Sequence, residues 1–213
     1  MILLISCDRD PAPTNGETVV ANDPIPKDES LAAQPKKSAA NPAQIAKLNK
    51  QLASRLIFAE PDEIIELIKK GATPDAKNRY GLPVIFLAAE RGNLTILETL
   101  IEAGANVNSK IGTTHNTDGA GYTGTADGTP MGYAAAKGKV EAMQFLLDNK
   151  ADVNGAGPEG TTPLMRASES LQLEAVQWLL ENGSSAGKEK ALGLTSMFVN
   201  PDEKTKKIIL LLK

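Results

Sequence analysis

A chain of 213 residues, 41% of them hydrophobic, has material for one moderate core and a tail. Its net charge of −3, with no Lys/Arg block interleaved with aromatics, argues against nucleic acid as a partner, and its single cysteine excludes an internal disulfide. No apolar run reaches the ~18 residues of a membrane-spanning helix.

The first element is a short apolar ramp, "MILLISC", ending on the only cysteine, Cys7. Polar sequence follows at once. Residues 8–41 carry five prolines (Pro11, Pro13, Pro24, Pro26, Pro35) and only isolated apolar residues such as Val19, Ile25 and Leu31. Such a stretch buries too little surface to offset its chain entropy, so it reads as a disordered tether. Order is expected from Asn41, a good helix N-cap, and Pro42, whose missing N–H costs nothing at the first helical position. Ile45, Leu48, Leu52 and Leu56 then recur at helical spacing along one face.

From here the chain repeats itself. Gly71 and Gly104 are separated by the same interval as Lys150 and Gly183, and the interval from Gly104 to Lys150 is longer by the length of one insertion. Before each of these positions stands one helical stripe: Ile64, Leu67, Ile68; Leu97, Leu100, Ile101; Met143, Leu146, Leu147; Val176, Leu179, Leu180. Residues at i, i+3 and i+4 share a helix face, which must bury itself on a neighbour. Glycine just past the stripe supplies the left-handed residue that ends a helix. Lys150 breaks that rule, and a β-carbon in that conformation costs about 1 kcal/mol. Shorter segments precede the last three stripes: "PVIFLAAERGN", "TPMGYAAAKGK" and "TPLMRASESLQ". Thr129 and Thr162 can cap these helices, with Pro130 and Pro163 next. The pairs Ala88–Ala89 and Ala134–Ala135 let helices approach closely. Each unit reads as a short helix, a tight turn at Gly92 or Gly138, a longer helix and an extended loop.

These residues resemble the ankyrin repeat. The loops "GANVN" (from Gly104) and "ADVN" (from Ala151), and the opening "GTTPL" (from Gly160), carry the likeness. It covers roughly residues 42–213: a degenerate unit at 42–77, units at about 78–110, 127–156 and 159–188, and a C-terminal cap at 189–213. In the cap, Asn200, Pro201 and Glu203 form a helix start of capping-box type, and Ile208, Ile209, Leu211 and Leu212 restore the stripe. The resemblance implies an all-α solenoid of stacked helix–turn–helix units with β-hairpin-like finger loops, whose inner surface binds other proteins. The sequence departs from the family at the histidine that usually follows Thr-Pro-Leu; Phe86, Gly132 and Met165 stand there instead. The inter-repeat hydrogen bond of that histidine is lost, and packing must compensate.

The additional length falls in residues 111–127, "IGTTHNTDGAGYTGTAD", where a finger between units is expected. A tolerated surface insertion is one reading, since each doubling of loop length costs only about 0.6 kcal/mol. A partner-contacting finger is the other and is favoured, with the only histidine, His115, with Asp118, and with Tyr122 as its best anchor. The formal Gly119-x-Gly121-x-x-Gly124 match to a dinucleotide fingerprint is rejected, because no strand enters it and no helix opens from it.

No catalytic set assembles. His115 lacks a second histidine or cysteine to complete a metal site, Cys7 is separated from it by the tether, and Ser168 and Ser170 lie near Glu169 beside no base. No enzyme, cofactor, metal or small-molecule substrate is expected. The face of finger tips and short helices is the better candidate site. On this sequence it comprises Arg79, Tyr80, Leu82, Glu90, Arg91, Tyr133, Lys137, Glu159, Arg166 and Glu169, together with His115, Asp118 and Tyr122 of the insertion. Arg and Tyr are common interface anchors, and the mixed signs suit a polar protein surface.

The ramp at the start resembles a bacterial lipobox in Leu4-Ile5-Ser6-Cys7. The resemblance implies a lipid on the Cys7 sulfur, cleavage of residues 1–6, and a periplasmic protein held at the cell envelope by that lipid alone. Each buried methylene contributes about 0.8 kcal/mol to such an anchor. Six residues without Lys or Arg are short for a signal peptide. Either the start lies inside a longer signal, or the product is a shortened cytoplasmic form. Among bacterial ankyrin lipoproteins the family analogy points to immunity: blocking a secreted toxin such as a type VI secretion phospholipase effector. The alternative is a non-inhibitory scaffold or assembly factor for a partner enzyme.

Overall fold

The computed structural model describes residues 41–55, 61–78, 80–113 and 127–213. Cys7, the tether, Leu56, Arg79, His115, Asp118 and Tyr122 lie outside the described residues.

The described chain forms helix pairs in sequence order: α1 (Pro42–Arg55) with α2 (Pro61–Lys69), α3 (Val84–Arg91) with α4 (Leu94–Glu102), α5 (Pro130–Ala136) with α6 (Val140–Asp148), α7 (Pro163–Glu169) with α8 (Leu173–Glu181), and α9 (Lys188–Ser196) with α10 (Glu203–Leu212). The pairs stack in register. Along one side α3 packs on α5, α5 on α7 and α7 on α9; along the other α2 packs on α4, α4 on α6, α6 on α8 and α8 on α10. This is the helical solenoid expected from the repeats.

The stripes make the core. Ile64, Leu97, Leu100, Met143, Leu146, Val176 and Leu179 are completely buried, and Leu67, Ile68, Ile101, Leu147 and Leu180 pack against them. Burying such a side chain contributes about 1.5–3 kcal/mol, so the stripes dominate stability. Ala88, Ala89, Ala134, Ala135 and Ala167 are also fully buried, where the short helices meet. Ser168 is fully buried in the next position of that column.

The short helices start as their sequences predict. The Thr129 hydroxyl accepts from Gly132 N–H and the Thr162 hydroxyl from Met165 N–H. Each threonine also donates to the loop of the following unit, Thr129 to Gly155 O at 3.4 Å and Thr162 to Ala186 O at 3.1 Å. These bonds link neighbouring units without the family's usual histidine. At one of the histidine positions, Gly132, the vacant space is met by Arg166 Cγ and Pro163 Cα.

The loops are joined by asparagines. Asn108 Oδ1 accepts from Asp152 N–H (2.8 Å) and its Nδ2 donates to Lys150 O (2.9 Å). Asn154 repeats the pattern one unit on, accepting from Ser185 and Ala186 N–H and donating to Gly183 O. The fingers close by antiparallel bridges, Lys77 with Pro83 and Ile111 with Gly128.

The left-handed positions after the stripes are Gly71, Gly104, Lys150 and Gly183, with φ of 104°, 96°, 70° and 83°. The final helix starts later than its sequence suggests. Asn200 is left-handed at φ 60°, a conformation that an N-cap does not adopt, and Asp202 takes the cap by accepting from Thr205 N–H at 2.7 Å.

Candidate protein-binding face

The short helices carry one connected row of side chains across three units. The Phe86 and Tyr133 rings meet edge to face, centroids 5.1 Å apart. The Arg166 guanidinium lies over the Tyr133 ring, 4.9 Å from its centroid. Edge-to-face pairs suit the positive rim and negative face of aromatic rings, and a cation over such a face is attracted by it. Arg166 is half-buried, and its enclosed Nε makes no hydrogen bond. Beside this row Glu90 of α3 pairs with Lys137, just past the end of α5, at 3.3 Å. Both are solvated enough that the pair adds little stability, under about 1 kcal/mol; its effect is to orient the two ends.

Two positions expected on the surface are buried instead. Tyr133 is 6% exposed and Leu82 6% exposed. Each helix residue projects one way only, and the alanine column of α5 turns Tyr133 into the stack. Arg91, Lys137, Glu159 and Glu169 are exposed; Tyr80, Glu90 and Arg166 are half-buried.

Glu159 has a second role. Its Oε1 accepts from Thr113 N–H at 2.8 Å and its Oε2 from the Thr113 hydroxyl at 2.9 Å. With the Ile111–Gly128 pairing (3.1 and 2.9 Å), these bonds fasten the base from which residues 114–126 depart.

Sequence reasoning missed two features. Asp127 is 3% exposed and staples neighbouring loops, accepting from Glu159 N–H (3.1 Å) and Thr161 N–H (2.8 Å). The only signal was its place before the Gly-Thr-Pro that opens α5. The second is a cleft of about 800 Å³ between α1 and the 77–80 loop, lined by Ala46, Asn49, Lys50, Ala53, Lys77 and Tyr80 among others. Its α1 wall is legible afterwards: Ala46, Asn49, Lys50 and Ala53 sit at i, i+3, i+4 and i+7, with small or polar side chains on one face. Among the described residues no group of three or more His, Cys, Asp or Glu could hold a metal ion. No described helix is long and apolar enough to cross a membrane.

Comparison with known proteins agrees with this architecture. The family model described as "Ankyrin repeats (3 copies)" matches residues 113–190, and that described as "Ankyrin repeat" matches residues 80–111. The chain is 34% identical over 101 residues to dauer abnormal formation protein 25 of Caenorhabditis elegans, a match covering 46% of this chain and 23% of that protein.

Proposed function

The chain belongs to the ankyrin-repeat family, a family of protein–protein interaction modules, and from that premise we propose that the face built by its short helices and fingers captures a partner protein without chemistry of its own. The observation that carries this reading is the Phe86–Tyr133–Arg166 row. It spans three stacked units, is set by packing on the core, and ends on the half-buried Arg166, with the flanking Arg91, Lys137 and Glu169 exposed. A rigid, mixed-charge platform of this kind favours a folded polar surface over a polyanion.

The lipobox-like Leu4–Cys7 supports a finer reading. The partner is met at a bacterial envelope, and capture covers its active-site entrance, as an immunity protein covers a secreted phospholipase toxin. The lipid would hold the inhibitor beside the membrane that such a toxin attacks.

Affinity capture with the purified chain, followed by an activity assay on the bound protein, tests both levels. A stoichiometric partner whose activity falls on binding supports inhibition. A partner that keeps full activity assigns the chain to scaffolding. Charge reversal by Arg166→Glu with Glu169→Lys, with the fold intact by circular dichroism, should weaken capture at least about tenfold. Unchanged capture would remove this face from the interface.

A further inference from the structure

The first unit is built differently from the rest. The short helices α3, α5, α7 and α9 pack closely on one another, whereas α1 packs on its own partner α2 and makes no comparable contact with α3. A cleft of about 800 Å³ remains between α1 and the 77–80 loop, which belongs to the first finger. Its wall is mostly apolar, with Ala46, Ala53 and the half-buried Tyr80 in it.

The polar groups of that wall are mostly donors with nothing to donate to. Asn49 Oδ1 accepts from Thr73 N–H at 2.8 Å, and Asn78 Oδ1 accepts from Tyr80 and Leu82 N–H at 2.9 and 3.0 Å. These bonds fix both amides and leave each Nδ2 without a partner among the described residues. Lys50 and Lys77 are exposed, and no described carboxylate pairs with either. Ser54 is the exception: its hydroxyl donates to Gln51 O at 3.0 Å and keeps its accepting capacity.

The carboxylates of neighbouring segments are turned elsewhere. α1 has none. Glu63 pairs with Arg55 at 2.7 Å, Glu66 with Lys70 at 2.6 Å and Glu90 with Lys137 at 3.3 Å. Asp75 faces Asn106 N–H at 3.5 Å, and Asp62, in the first turn of α2, lines no part of the cleft. An apolar floor ringed by cations and amide donors selects a ligand that carries acceptors and negative charge around an apolar group. The stretch from Ala46 to Ala53 covers two helical turns, about 10 Å, which takes about three residues of extended chain.

We infer that the cleft between α1 and the 77–80 loop receives a short acidic segment protruding from the partner protein. An apolar side chain of that segment sits between Ala46, Ala53 and Tyr80, and flanking carboxylates meet Lys50 and Lys77. This rests on the reading of the chain as a protein-binding module and adds the chemistry of what is bound.

The test begins with short random peptides displayed on phage and selected on the full chain. Retained sequences should carry a large apolar residue flanked by Asp or Glu. The tightest of them, made synthetically, should bind at least about tenfold more weakly to Lys50→Glu with Lys77→Glu, and to Ala46→Trp, which fills the cleft. Lys207→Glu, a charge reversal on the last helix, should leave its affinity within about twofold. All four positions are exposed, so the thermal melts should stay those of the parent. Selection of no acidic peptide, or equal affinity for the parent and the Lys50 and Lys77 variant, overturns the inference. So does self-association of the parent that this variant abolishes, which would give the cleft to a second copy. The two readings fail separately. A protein captured equally by parent and variant removes the cleft from the interface and keeps protein binding. A chain that binds the acidic peptide at the cleft yet captures no protein keeps the cleft and removes the proposed function.

Discussion

Arg166 on α7 covers the ring of Tyr133 on α5, with Cζ 4.9 Å from the ring centroid, and so ties two successive units through a cation and an aromatic face. Because Tyr133 is 6% exposed, the two residues answer different questions. Tyr133→Ala removes core volume and should cost about 3–5 kcal/mol in urea unfolding. Arg166→Met keeps the aliphatic stem and should cost only about 0.5–1 kcal/mol. A double-mutant cycle with Tyr133→Leu should recover that difference as coupling; additive effects would mean the stacking contributes nothing.

Lys150 holds a left-handed backbone, φ 70°, that glycine holds at 71, 104 and 183. Lys150→Gly relieves its β-carbon and should raise stability by about 0.5–1 kcal/mol, less the entropy gained by the unfolded chain. Gly183→Ala is the converse. An added Cβ there meets nothing within 4 Å, so its loss of about 1 kcal/mol would be backbone strain alone. Calorimetric melts of both variants should move in opposite directions.

Ser168 is fully buried and its hydroxyl makes no hydrogen bond, in the column where Ala89 and Ala135 sit. Ser168→Ala removes an unmet polar group at almost constant shape. It should stabilise the chain by about 1 kcal/mol in equilibrium unfolding, and a loss of stability would show that the hydroxyl has a partner.

The Asp202 carboxyl is held below its ordinary value by the Thr205 hydroxyl first and the Thr205 N–H second, with Lys204 and Lys206 adding in the same sense. A lowered pKa in the folded state means this cap contributes fully above the unfolded carboxylate value, about 4, and is lost as pH falls through the folded value. Protection of the α10 amides, taken relative to the intrinsic exchange rate at each pH, should therefore fall as the solution is acidified below that range. Asp202→Asn should flatten the dependence.

What the sequence made legible follows from periodicity. The four stripes, the threonine caps, the glycine stops and the anomaly at Lys150 are all local or translational signals, and all appear in the fold. What it did not make legible depends on direction. Tyr133 looks like a surface tyrosine in a short helix, yet one step of helical rotation points it at Phe86. Asp127 looks like the end of a polar insertion, yet it serves N–H groups that arrive from the next unit, more than thirty residues on. The cleft beside α1 requires two segments, 46–54 and 77–80, to face each other across a space, which spacing along one chain does not encode.

The clasp between Glu159 and Thr113, with the paired backbones of Ile111 and Gly128, brings the two ends of the inserted segment together on the stack. Whatever length of chain is threaded between positions 113 and 127, the entropy of bringing its ends together is met at that one junction. Evolution, or an engineer, can therefore exchange the cargo at this port while the solenoid behind it stays as it is.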